Sequence, residues 1–126
     1  MDKEEIKNIP ELSDGSIYIY VLLNSAGSIK IGKTTNLINR IQSLSGSNAA
    51  GEEIIDCYCS PATFLHNIEK ISHEHFGFAR MAGEWFDGTK VGFDEVANYV
   101  KSLFESDDYK RCNELRRKII EEKKDK

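Results

Sequence analysis

Between Gly15 and Gly51 the chain has no aspartate or glutamate, although 21 of its 126 residues are acidic. Lys30, Lys33 and Arg40 give that stretch a charge of +3. Residues 1–14 sum to −3, residues 52–90 to −4, and residues 91–126 balance nine cations against nine anions. About a quarter of residues are ordinarily charged, so 37 consecutive positions without a carboxylate are unusual and suit a surface facing phosphate. Chance together with a buried hairpin is the plainer explanation, and on composition alone the two stand level. The net charge of −4 argues weakly against nucleic acid.

Other absences narrow the class further. No apolar run approaches the ~20 residues of a membrane span. The acidic opening MDKEEIKNIPELSDG lacks the hydrophobic core of a signal peptide, so a cytoplasmic protein is expected. There is no Gly-rich phosphate loop, no Ser-His-Asp or Cys-His order that stands out, and no internal repeat. Cysteine is sparse and odd in number: Cys57, Cys59 and Cys112. Cys57 and Cys59 are read as pointing to opposite sides of a strand, so buried thiols in a reducing cytosol are expected rather than a disulfide framework. The length fits one domain, which buries roughly two-thirds of the surface its unfolded chain exposes.

What is present reads as alternating strands and helices. Residues 1–14 form a flexible acidic arm. Ile17 to Leu23 is a β-branched and aromatic strand, Asn24 to Ser28 a turn, and Ile29 to Lys33 the return strand. Thr34, Thr35 and Asn36 offer helix caps, and Leu37, Ile38, Ile41 and Leu44 follow helical spacing before Ser45–Asn48 ends it. Glu53 to Ser60 is a third strand. Pro61 suits the first turn of a helix running to Phe76, with Phe64, Leu65, Ile68, Ile71 and His75 inside. Glu84-Trp85-Phe86 is a short extended piece. Gly92 to Phe104 and Asp107 to Lys124 are helices, the last with Tyr109, Cys112, Leu115 and Ile119 as its apolar stripe.

The hairpin divides by chemistry. If Val21 faces Ile31, Tyr20 faces Gly32 and Leu22 faces Lys30. Tyr18, Tyr20, Lys30 and Gly32 then share one face because side chains alternate. Ile17, Ile19, Val21, Leu23, Ile29 and Ile31 make the other face, which must be core. Gly32 leaves a gap where something can approach the sheet. Arg40 lies one turn into the following helix, above Asn36. Each residue also has an ordinary structural explanation, such as a half-buried tyrosine or a solvated cation; their coincidence on one face is the signal. His66, Glu69 and His73 fall on one helical face. Zinc is disfavoured because three or four ligands at firm spacing are missing. One carboxylate completed by water and phosphate is instead a common Mg²⁺ arrangement.

These residues carry a resemblance. Ser16-Ile17-Tyr18, eleven residues, and Lys30-Ile31-Gly32 resemble the paired motif of the GIY-YIG nuclease superfamily. Arg40 and Glu69 stand where that superfamily places its helix arginine and its metal-binding glutamate. The run Lys30 to Thr34, the Glu69/His73 pair and Gly83 to Phe86 are similar to the small phage and bacterial branch, also seen in meiotically up-regulated fungal proteins. Ser16 replaces the first glycine, Lys30 replaces the second tyrosine, and the asparagine many members carry has no match.

The resemblance implies an α/β (α+β) fold: a small antiparallel or mixed three-stranded sheet with flanking helices over residues 15–90. Residues 91–126 would be a helical extension packed on it. It implies a DNA endonuclease using Mg²⁺ or Mn²⁺ at Glu69. Arg40 would neutralise phosphate charge, and Tyr18 would take the water's proton with help from Lys30. His73 would orient Glu69, reach the metal through water, or act as a base. Tyr20, Gly32, Lys33 and Thr34 would contact substrate, and Trp85 would close the site or fill the core. DNA is expected ahead of RNA, with selectivity drawn from self-association or a targeting partner and no membrane involved. The alternative is a catalytically weak nucleic-acid- or partner-binding module. A third reading is an interaction protein acting through the charged last helix.

Overall fold

The computed structural model describes residues 16–46, 53–63 and 65–124. The acidic arm, Phe64 and the residues after Gly46 invoked as a helix stop lie outside them. Among the described residues four strands form one sheet: β1 (Ser16–Asn24), β2 (Ile29–Thr34), β3 (Ile54–Thr63) and β4 (Trp85–Phe86). Their order is β3-β1-β2-β4, antiparallel throughout. Among the described residues the helices are α1 (Leu37–Gly46), α2 (Ile68–His75), α3 (Phe93–Phe104) and α4 (Asp107–Lys124). The fold is α+β as expected, but the sheet has a fourth strand. Two residues suffice for it, because Ile29 pairs Phe86 and Lys30 pairs Trp85.

The hairpin closes as its chemistry dictates. Asn24 Oδ1 accepts from the Ala26 and Ser28 amides at 3.1 and 2.8 Å, an Asx turn that bends the chain locally. The register then pairs Val21 with Ile31, Tyr20 with Gly32 and Leu22 with Lys30. The turn also rests on the loop after β4: a Cβ at Gly88 would lie 1.7 Å from the Gly27 carbonyl oxygen, so only glycine fits there.

Ile17, Ile19, Val21, Ile29 and Ile31 bury against Ile68 and Phe76 of α2, Phe86, and Val96 and Val100 of α3. Each such side chain contributes about 1.5–3 kcal/mol relative to exposure. Tyr109 docks the first turn of α4 on this core. Farther along, Leu115 and Ile119 are exposed, so the apolar stripe read from sequence packs only at its start.

The second sheet face is a correction. It is not an open polar surface: Tyr18, Tyr20 and Leu22 are buried beneath Leu37 and Ile41 of α1. Their aromatic rings supply apolar area, which the hydroxyls disguise in sequence. Cys57 and Cys59 join this cluster, on the same side of β3 rather than opposite sides. Side chains two apart in a strand share a face. Cys57 hydrogen-bonds Cys59, holding the Cys59 thiol down to about 7 and pushing Cys57 up.

Pro61 is the other misreading. It lies within β3, opposite Tyr18, and α2 begins only at Ile68. Proline is tolerated because, among the described residues, β3 is an outer strand paired only with β1. His66 consequently precedes α2 instead of sharing its face, and its ring meets Tyr109 edge-on at 5.6 Å.

Candidate active site

The chain reverses from β2 into α1 over two residues. Thr34 Oγ1 accepts from the Asn36 amide at 3.1 Å, and Asn36 Oδ1 accepts from the Asn39 amide at 3.1 Å, capping the helix. Thr34 is thus engaged in holding the turn. Arg40, one turn in, points back over the sheet, and its Nε donates to Tyr20 Oη at 3.3 Å.

The gap at Gly32 is filled from within. A Cβ there would lie 2.3 Å from Tyr20 Oη and 2.4 Å from its Cζ. Glycine lets the phenol cross β2 and reach Arg40; it does not leave an opening for a ligand. Burial pushes the Tyr20 pKa up, and Glu84 and Glu69 push it the same way against Arg40. Tyr20 is therefore a neutral phenol. Arg40 is held charged, chiefly by that hydrogen bond.

Lys30 pairs with Glu84, Nζ to Oε2 at 3.1 Å, and its ammonium lies 5.3 Å from the centre of the Trp85 ring. Its contacts run to Glu84 and Trp85, where the sequence reading directed it to Tyr18. Tyr18 shares the face but sits beside Cys59 beneath α1, and burial followed by Cys59 raises its pKa. The phenolate expected there is disfavoured.

On the opposite face α2 runs along β2. His73 Nε2 lies 2.8 Å from the Ile31 carbonyl oxygen. A carbonyl only accepts, so Nε2 carries the proton and a neutral ring keeps Nδ1 as acceptor. The Ile31 amide donates to the Glu84 carbonyl at 3.2 Å. Ile31 thus turns both backbone groups to the outer edge of β2, where β4 has ended. One goes to α2 and one to the loop before β4.

Glu69 lies one turn before His73. Its Oε2 is buried without a hydrogen-bond partner. Burial raises its pKa first, then Glu84; His73, Lys33 and Lys30 oppose the rise. Lys33, His66, Asn67, Glu69 and Lys70 line a cleft of about 50 Å³ floored by Ile17 and Ile19. A space of this size holds a water-sized occupant.

The charged groups therefore wrap around the edge of β2 instead of lying on one face. Tyr20, Lys30 and Arg40 come from one side, Lys33, Glu69 and His73 from the other, and Glu84 stands between. Glu84 was missed in sequence, although it lies in the quoted Gly83–Phe86 segment. Only the pairing of Trp85 with Lys30 brings it there.

The donor set fits a hard divalent cation. Glu69 offers a buried carboxylate oxygen with no hydrogen bond, and Glu84 is a second carboxylate coupled to it. Among the described residues no three His, Cys, Asp or Glu side chains converge on one point. Mg²⁺ characteristically takes one or two carboxylates and completes its shell with water and phosphate. Soft ions, which prefer thiolate and imidazole, are poorly served.

Among the described residues no helix is long and apolar enough to cross a membrane. No curated protein and no solved structure matches the chain. Residues 15–119 match the T5orf172 domain, farther than the 15–90 covered by the motif resemblance and including α3 and most of α4. That family comprises nuclease-like domains, and the match is consistent with a nucleic-acid-related role. With five-sixths of its length inside the match, the chain belongs to the T5orf172 domain family.

Proposed function

We propose that the chain is a divalent-metal-dependent endonuclease of GIY-YIG type, hydrolysing phosphodiester bonds in DNA. The observation that carries this reading is the orphaned Glu69 carboxylate at an edge where Arg40, Lys30 and Lys33 converge. Three cations beside a carboxylate are what an anionic substrate sharing a cation with the protein requires.

Glu69, with Glu84, would hold Mg²⁺ or Mn²⁺; when bound, that ion polarises a phosphoryl oxygen. Arg40 offers a planar fork of donors to the phosphate, strongest where charge accumulates in the transition state. Tyr20 accepts the Arg40 Nε–H and so fixes the guanidinium; as a neutral phenol it does not take a proton from water. Lys30 is held by Glu84 until a phosphate competes for it. His73 ties α2 to β2 through the Ile31 carbonyl and so sets the height of Glu69 over the edge. Lys33 sits on the cleft side and lowers the cost of charge on Glu69.

A catalytically weak binding module is the second reading. The observation in its favour is that burial raises the pKa of both Tyr18 and Tyr20, leaving no phenolate to accept a proton.

Incubation of the chain with plasmid and oligonucleotides plus Mg²⁺ or Mn²⁺ tests the first reading. Metal-dependent cleavage lost in both Glu69→Ala and Arg40→Ala supports it. Cleavage that survives both substitutions places the chemistry elsewhere. No cleavage, with binding that weakens steeply between two salt concentrations, supports the binding module.

A further inference from the structure

The sheet register places a row of side chains across the face that α1 covers only in part. Cys57 stands opposite Leu22, Leu22 opposite Lys30, and Lys30 opposite Trp85. The chain then folds back: Arg80 bridges Phe86, and the Met81 amide donates to the Trp85 carbonyl at 2.9 Å. Met81 is thus opposite Trp85, one position farther out. Neighbouring strands lie about 4.8 Å apart, so Met81 is about 10 Å from Lys30 along the sheet.

Along this row the surroundings change abruptly. Leu22 is buried under α1, whereas Trp85 belongs to neither apolar cluster and is only half-buried. Met81 is 51% exposed. The Lys30 ammonium lies 5.3 Å from the centre of the ring, and Met81 holds the next position outward in the row. An indole and an exposed thioether therefore stand in line outward from the cations of the phosphate site. Turn geometry fixes the ledge: Trp85 donates to Ala82, and Arg80 Nε donates to the Gly83 carbonyl at 2.7 Å.

We propose that Trp85 and Met81 are a stacking ledge for an unpaired nucleobase next to the phosphate held at Lys30 and Arg40, so that the favoured substrate carries single-stranded nucleotides there. This rests on the phosphate-site reading above. The charge pattern specifies the occupant. A polypeptide joins a flat apolar group to an anion only where an aromatic and an acidic residue happen to adjoin, whereas a nucleic acid repeats a planar base and a phosphate at every nucleotide. In a duplex the base faces are already stacked on neighbours, so a protein ledge engages a base that has left the helix or never entered it. Thioethers and indoles suit this contact because both are polarisable and neither demands a hydrogen-bond pattern.

Trp85 is the chain's single tryptophan, so its emission reports the contact directly. The whole chain, with Ca²⁺ in place of Mg²⁺ to suppress cleavage while keeping a hard cation at the site, is titrated with a single-stranded oligonucleotide and with a blunt duplex of equal length. The expected result is saturable quenching by the single strand and weaker binding of the duplex. Trp85→Leu, read by electrophoretic shift, should weaken single-strand binding by about ten-fold. Met81→Ser, at an exposed position where folding is not at stake, should weaken it several-fold and leave duplex binding unchanged. Single-strand binding without quenching, or equal quenching by both forms, overturns the ledge and spares the phosphate site. Failure of both forms to bind overturns the ledge and the phosphate site together.

Discussion

Gly32→Ala should cost about 1–3 kcal/mol of stability and at least ten-fold in cleavage or nucleic-acid affinity. The added methyl would lie 2.3 Å from Tyr20 Oη, 2.4 Å from Cζ and 2.9 Å from Cε2. A flexible surface side chain would simply turn away. Tyr20 is wholly buried beneath Leu37 and Ile41, so its ring has nowhere to go without lifting α1. Lifting α1 moves Arg40, whose Nε rests on that hydroxyl. Stability and function therefore fall together. Tyr20→Phe separates them: it keeps the ring and the packing, removes only the Arg40 contact, and should cost nearer 1 kcal/mol. Thermal melts and cleavage or binding assays on both variants check this. A Gly32→Ala protein with unchanged melting and unchanged function shows that the phenol does not occupy the gap.

Glu69→Gln should have opposite effects on stability and function. The folded protein holds the Glu69 carboxyl above its ordinary pKa, first through burial and then through Glu84. Below the ordinary carboxylate range both folded and unfolded chains are protonated at this position, and it contributes nothing. As pH rises, the unfolded chain loses its proton first, so stability falls through the window from the ordinary value near 4.3 up to the raised folded value. Above that window a constant penalty remains. Glutamine fills the same space without charge, so the variant should melt higher than wild type at neutral pH. The gain is about 1 kcal/mol, because the side chain is only partly buried and solvent screens the charge. At acid pH the difference should vanish. Mg²⁺ or Mn²⁺ should raise the melting temperature of wild type and leave the variant unmoved, since a ligand stabilises only the state that binds it. Cleavage should be lost. A variant that melts lower than wild type at neutral pH shows that the Glu69 charge is satisfied in the metal-free protein.

The hairpin was legible to the residue. Alternation and an Asn-led turn leave one register that buries the isoleucines, and that register is the one found. Arg40 was legible too, because Asn36 caps a helix whose start fixes where its fourth residue points. Glu84 was not, since nothing local links it to Lys30; two backbone pairings between distant segments do so. The covered face was misjudged because tyrosine reads as polar in a pattern of alternating residues, while its ring packs like phenylalanine. Pro61 was misjudged for a related reason. Its fixed dihedral serves a helix start or an outer strand equally, and only the sheet order decides between them. The spread of the site around the edge of β2 was beyond any one-face reading, because α2 and the loop before β4 approach from different layers.

The two outer strands have a further consequence, for how the sheet meets other chains. An outer strand with free backbone groups is a template on which another chain's strand can add. Here one margin ends on β4, two residues long, whose outer side is already taken by Arg80 and Met81. The other ends on β3, ten residues long, but Pro61 interrupts it and has no amide hydrogen to give. Sheet growth is therefore discouraged at both margins. The proline that suits a helix start also shortens the edge of β3 along which another strand could add, to Ile54–Ser60.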